Sequence, residues 1–340
     1  MECVLPLDDV ITLVKDIKNK NLAPIYLLMG EEAYYIDKIS DYIEANVLAE
    51  TEKGFNQMVL YGRDVTIENI VANAKRFPMM ADKQVIIVKE AQDLWRTIDN
   101  LNDYAKNPQP STVLVLCFKY KKLDKRKTIY KTIKKNGVIF ESKKLYDNQV
   151  LDWIRRTLST KGYKITPKAA QMLVEFLGTN LSKINNELEK LQIVLPQGSE
   201  ISPLHIEKNI GISKDYNNFE LQKAIGARNE AKAFKIVNYF GDNPKDNPMV
   251  VTVSIVFRFF SQLLQLHGMN DKSPRSVASA LRVNPYFVSD YLEAARHFPM
   301  RKVSGIIAII REFDLKCKGV NSNAVPQKGL LKEFLAKIFN

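Results

Sequence analysis

Cysteine and histidine are almost missing from this chain of 340 residues, which has three of each. Cys3, Cys117 and Cys317 form no CxxC pair, and with only His205, His267 and His297 as further ligands no zinc module is expected. The odd, scattered count fits a reducing compartment, and Cys117, set in an apolar run, reads as a buried thiol. No run approaches the roughly 18 uninterrupted apolar residues that cross a bilayer. The acidic Met-Glu-Cys-Val start lacks the basic-then-apolar layout of a signal peptide, so a cytoplasmic chain with no membrane partner is expected. Internal repeats and low-complexity tracts are absent.

Glycine is sparse where phosphate chemistry would need it. The first strand candidate ends in Gly30-Glu31-Glu32-Ala33-Tyr34-Tyr35, with one glycine, no GK[ST] signature and two carboxylates that would repel a triphosphate. An ordinary strand-to-helix turn, with acids favourably placed at the helix start, is the expectation.

The composition itself is that of a folded protein, 46% hydrophobic and 26% charged, and the length calls for two or three domains. The formal net charge of +12 points to a polyanionic partner but is unevenly spread. Nine cations (Lys119, Lys121, Lys122, Lys125, Arg126, Lys127, Lys131, Lys134 and Lys135) face one acid, Asp124. The rest of the first 142 residues has 12 basic and 19 acidic side chains, a net of −7. With Tyr120 and Tyr130 interleaved, the run reads either as a phosphate-contacting patch, Lys119 to Lys127 first, or as a solvated face.

Short apolar runs at 25–29, 57–61, 85–88, 112–117 and 137–140 read as strands with crossover helices between them, the pattern of a parallel α/β sheet buried on both faces. From about Lys143 helical spacing takes over. Helices are expected at 147–161, from Thr166-Pro167, and at 181–195, then at 215–226, 229–240, 248–267, 276–281, 285–296 and 300–318. Phe257, Phe259 and Phe260 read as core of the last helical part.

The segment RFPMMADKQVIIVKEAQDL, Arg76 to Leu94, joins two oddities. Its strand has the shape of a Walker B element, but Lys89 stands where the magnesium-holding Asp belongs, and a cation there cannot bind a cation. Before it, Met79 and Met80 follow Pro78 and precede Ala81 and Asp82, so two flexible apolar side chains edge a polar turn. Phe118-Lys119-Tyr120 offers no polar residue suited to a γ-phosphate, and Gly178-Thr179-Asn180-Leu181-Ser182 has no arginine. Four degenerate nucleotide elements argue against ATP hydrolysis.

The order PIYLLMGEEAYYID, RFPMMADKQVIIVKEAQDL, TVLVLCF and LDWIRRTLSTKGYKITPKAAQMLVEFLGTNLSKINNELEKL resembles the delta subunit family of the bacterial DNA polymerase III clamp loader, over essentially the whole chain. The resemblance implies an AAA+-like domain without nucleotide motifs at 1–142, a helical lid at 143–212 and a helical collar for oligomerisation at 213–340. It implies no cofactor and no catalysis by this subunit, within a holoenzyme classed as a DNA-directed DNA polymerase, a nucleotidyltransferase. The implied partners are the sliding clamp (beta subunit), the gamma/tau ATPase and delta-prime subunits, and primed DNA. In that family an apolar pair at a helix tip enters a pocket on the clamp; here the matching residues are Met79 and Met80, with Phe77 and Pro78 shaping the turn. Methionine in place of the frequent Leu and Phe keeps apolar bulk and adds flexibility. An active AAA+ ATPase and a stand-alone basic DNA-binding protein are the alternatives.

Overall fold

A computed structural model describes residues 6–320 and 326–340, so Cys3 and the acidic start lie outside the described residues. The chain divides into two compact units, Met1–Leu145 and Tyr146–Asn340.

In the first unit α1 (Pro6–Lys18) leads into β1 (Ile25–Gly30), followed by α2 (Ala33–Asn46), α3 (Glu50–Asn56), β2 (Gln57–Tyr61), α4 (Ile67–Ala74), β3 (Gln84–Lys89), α5 (Asn102–Lys106), β4 (Thr112–Lys119), α6 (Thr128–Asn136) and β5 (Val138–Ser142). The five strands are parallel in the order β2-β3-β4-β1-β5, with Leu27 beside Leu116 and Ile139, and Ile87 beside Val59 and Val115. Ile25, Leu27 and Met29 enter one core with Ile70, Ile129 and Ile133. The alternate residues Tyr26 and Leu28 are equally buried and, by the two-residue period of a strand, face the other side. Both faces are therefore covered, as a parallel sheet requires.

All five expected strands are present, β2 with the expected ends and the other four with ends shifted by one or two residues. The expectation of continuous burial holds for β1, β3 and β4 but not for β2 and β5, which are partly exposed because they are the edges. Since every strand runs the same way, the sheet has an amino edge and a carboxyl edge, separated along the six residues of β3 by roughly 20 Å. Asn56 and the segment 75–83 lie at the amino edge; Gly30, Lys89, Lys119 and Ser142 lie at the carboxyl edge.

The second unit comprises α7 (Asp147–Thr160), β6 (Lys164–Ile165), α8 (Pro167–Leu177), α9 (Leu181–Val194), β7 (Glu200–Ile201), α10 (Pro203–Ile210), α11 (Asn218–Gly226), α12 (Glu230–Asp242), α13 (Met249–His267), α14 (Pro274–Leu281), α15 (Val288–His297), α16 (Met300–Cys317) and α17 (Gln327–Phe339). Thr166 starts α8 by accepting the Ala169 N–H, with Pro167 in the first turn, as expected of that dipeptide. Three helices, α1, α10 and α17, went unread in the sequence, and the small parallel pair β6–β7 corrects the all-helical expectation. Leu330, Leu331, Phe334, Leu335 and Ile338 of α17 join a core with Phe259 and Phe260. Phe257 is exposed, a correction to its reading as core, because it falls beyond the border of the buried stripe of α13. By length and composition α13 could cross a membrane, but half of it is buried inside this unit, as in a core helix.

Candidate functional site

Met79 and Met80 lie in the loop between α4 and β3, several residues beyond the helix end and not on a helix tip. The helix stops at Ala74 because Phe77 precedes Pro78, and a residue before proline is driven out of the helical region. Carbonyls at and just past the end of α4 are taken up by side chains: Thr112 Oγ1 donates to Ala74 O at 2.8 Å, and Gln84 Nε2 donates to Arg76 O at 2.6 Å. Further along, the buried Asn56 side chain grips the loop from both sides. Met79 N donates to Asn56 Oδ1 at 2.7 Å, and Asn56 Nδ2 donates to Met79 O at 2.9 Å. Lys83 Nζ donates to Pro110 O at 2.7 Å and pins the far end.

A loop tied at these points still turns its apolar side chains outward. Phe77 is 79% exposed, Met79 62% and Met80 completely, while Pro78 is half-buried beneath them. Met80 adopts a left-handed conformation, φ +53°, which costs an L-residue about 1–2 kcal/mol. Backbone strain and exposed apolar surface thus coincide in one fixed loop.

The carboxyl edge, where open α/β sheets bind ligands, is filled by the chain itself. Gly30 N donates to Lys121 O (3.1 Å), Glu31 N to Ser142 O (3.3 Å), Glu32 N to Ser142 Oγ (3.2 Å), and Tyr34 N to Glu32 Oε1 (3.2 Å). The N–H groups that would cradle a phosphate thus have internal acceptors, and Glu32 is the N-cap of α2, as its position in sequence suggested. Gly30 itself is required: it sits at φ +135°, and a Cβ there would lie 2.1 Å from Ser142 O.

The two strand-end lysines are equally committed. Lys89 Nζ lies 3.3 Å from Asp41 Oδ1 and 3.1 Å from Glu44 Oε2; Lys119 Nζ lies 2.8 Å from Asp37 Oδ1 and 3.0 Å from Glu90 Oε1. Asp37, Asp41 and Glu44 are spaced along one face of α2. Burial works against both ammonium groups, but these carboxylates outweigh it and hold each lysine above its ordinary range. Where a nucleotide site would present acids to a metal, this sheet presents acids to its own lysines.

The basic run is largely neutralised within the first unit. Lys122 pairs with Glu31 (3.2 Å) and Glu141 (3.3 Å), Lys125 with Glu141 (2.8 Å), Arg126 with Asp124 (2.7 Å) and Lys127 with Asp99 (2.7 Å). Lys121 stands over the Trp95 ring at 5.4 Å. Lys119, only 16% exposed, is the least available of the set. Lys131, Lys134 and Lys135 are exposed on α6.

Elsewhere the sequence readings have simple structural counterparts. Gly178 ends α8 with φ +68° and Asn180 caps α9 by accepting the Lys183 N–H, so the segment without an arginine is a helix-to-helix turn. Cys117 is buried, which pushes its thiol up to about 12. Among the described residues no three His, Cys, Asp or Glu side chains converge as metal ligands. The contributions of Asn56 and Gln84 were missed in the sequence; a polar residue just ahead of β2 and another opening β3 were their only signal.

A five-stranded parallel sheet in the order β2-β3-β4-β1-β5 with helices, followed by a mostly helical unit, is an AAA+-like fold, here with its carboxyl edge closed and an apolar loop at the other. The family described as DNA polymerase III, delta subunit, matches residues 26–143, and its C-terminal domain matches residues 215–336. DNA polymerase III subunit delta of Bacillus subtilis (strain 168) is 27% identical over 316 residues, spanning 89% of this chain and 90% of that protein. The solved Bacillus subtilis DNA clamp loader delta protein shares the fold with a TM-score of 0.55 at 24% identity, over 97% of this chain and 99% of that one. The chain belongs to the DNA polymerase III delta subunit family, the clamp-loader subunits of DNA replication.

Proposed function

We propose that this chain binds and opens the ring-shaped sliding clamp by inserting Met79 and Met80 into an apolar pocket of the ring, with Phe77 and Pro78 shaping the loop. The observation that carries the reading is the fixed backbone of Met79 beneath freely exposed apolar side chains. Each methionine buried in a pocket contributes roughly 1.5–3 kcal/mol, and a preordered loop spends little of that on its own immobilisation. Such binding favours the open ring to the extent that the loop fits the open form better than the closed one.

On this reading residues 1–142 form the clamp-binding domain, 143–212 a lid and 213–340 a collar that joins the gamma/tau ATPase and delta-prime subunits around primed DNA in the cytoplasm. The chain performs no catalysis of its own, in keeping with the occupied N–H groups of Gly30, Glu31, Glu32 and Tyr34. Any DNA contact falls to Lys121, Lys131, Lys134 and Lys135 before the paired cations.

The test is the affinity of the purified chain for its cognate clamp, measured for wild type and for Met79→Ala/Met80→Ala, with ATP titrated in parallel. A loss of about a hundredfold or more is expected for the double variant, with an unchanged melting temperature and no saturable ATP binding. Undiminished affinity, or micromolar ATP binding, would refute it.

A further inference from the structure

Four of the five most exposed large apolar side chains in the described part of the first unit are Met80, Phe77, Phe55 and Met79; the fifth is Tyr120. Phe55 is 77% exposed, as open as Phe77, yet it lies on a different element, at the end of α3. It is the chain neighbour of Asn56, whose carboxamide exchanges hydrogen bonds of 2.7 and 2.9 Å with Met79. Consecutive Cα atoms are only about 3.8 Å apart, so the Asn56 bridge keeps Phe55 close to the methionine loop and in fixed register with it.

We propose that Phe55 is a further contact residue for the sliding clamp, forming with Phe77, Met79 and Met80 one apolar platform built from two elements and locked by Asn56. The proposal rests on the reading of Met79 and Met80 as clamp contacts and extends it to α3. The side chains concerned, Met and Phe with the exposed Arg76 beside them, are those enriched at protein interfaces. The described part of the chain leaves Phe55 largely uncovered, at 77% exposure. Continuity with the methionine loop names the occupant, because Phe55 is covalently next to the residue that holds Met79.

The flanks of the platform add a chemical requirement. Lys75 and Arg76 are exposed directly before Phe77, and Lys83 follows the loop. The matching surface is an apolar cleft with carboxylates on its rim, and those cations steer the encounter at low salt.

The experiment measures equilibrium binding of the full chain to the cognate clamp for Phe55→Ala, Met79→Ala/Met80→Ala and, as a distant control, Ile193→Ala, whose side chain is 83% exposed in the second unit. Phe55→Ala is expected to bind about tenfold more weakly with an unchanged melting temperature, and Ile193→Ala to bind as wild type. Wild-type affinity for Phe55→Ala beside a large loss for the methionine pair overturns the extension and leaves the clamp reading standing. Wild-type affinity for both overturns the clamp reading and this proposal with it. An equal loss for Ile193→Ala reduces the effect to general apolar adhesion and overturns the proposal too.

Discussion

The side chain of Asn56 and the main chain of Met79, 23 residues apart in sequence, form a closed pair of hydrogen bonds at 2.7 and 2.9 Å. The carboxamide acts here as one more strand residue would, accepting from an N–H and donating to a carbonyl. It fixes a loop that has no regular structure of its own.

Removing that pair should loosen the loop without unfolding the unit. For Asn56→Ala we expect a stability loss of about 1–3 kcal/mol, the cost of leaving buried partners unmet, and faster exchange of the Met79 amide. Hydrogen exchange read at single-residue resolution checks it; an equally protected Met79 amide in the variant would contradict the clamp role of Asn56.

The lysine at the end of β4 is a structural cation. Lys119→Met leaves Asp37 and Glu90 without their shared partner and should lower stability by about 1–3 kcal/mol. Because its folded-state pKa is raised, the contribution is complete below the lysine range and fades only as the solution becomes strongly alkaline. Denaturation of both proteins at pH 7 and pH 11 should show a gap that narrows at the higher pH.

Gly30 tests the closed carboxyl edge. Gly30→Ala places a methyl against Ser142 O and asks alanine to hold φ +135°, which together should cost on the order of 3 kcal/mol or more. Chemical denaturation of the first unit measures this directly, and a change under 1 kcal/mol would show that the turn relaxes more readily than its geometry implies.

A pH effect is expected in the second unit. Burial raises the Glu175 carboxyl to about 7, against a hydrogen bond from Gln171 and the charge of Arg258. An acid with a raised folded-state pKa keeps its proton on folding, so it costs nothing below the ordinary carboxylate range and penalises the fold progressively as pH climbs to about 7. Glu175→Gln should match wild type near pH 4 and exceed it by about 1–3 kcal/mol above pH 7.5. A difference that is constant with pH would mean that Glu175 ionises normally.

The legible part of this molecule was what period and composition encode. β1, β3 and β4 were plain because central strands of a parallel sheet are apolar on both faces, and the Thr166-Pro167 start because cap and proline are adjacent in sequence. The methionine pair was visible as an anomaly. Its support was not: Asn56, Gln84 and Thr112 act across 8 to 38 residues, and nothing local distinguishes a buried amide from an exposed one. The ion-pair partners of the basic run were hidden for a related reason. Its cations stand out when read in order, whereas Glu31, Asp37, Asp99 and Glu141, which neutralise them, come from four separate segments.

Lys89 and Lys119 give the carboxyl edge of the sheet counter-charges that are covalently part of the chain. A bound metal or nucleotide comes and goes with its concentration; a tethered ammonium does not. The methionine loop at the far edge is likewise held by the chain's own groups, Asn56 and Lys83, so both edges of the sheet take their shape from tethered partners.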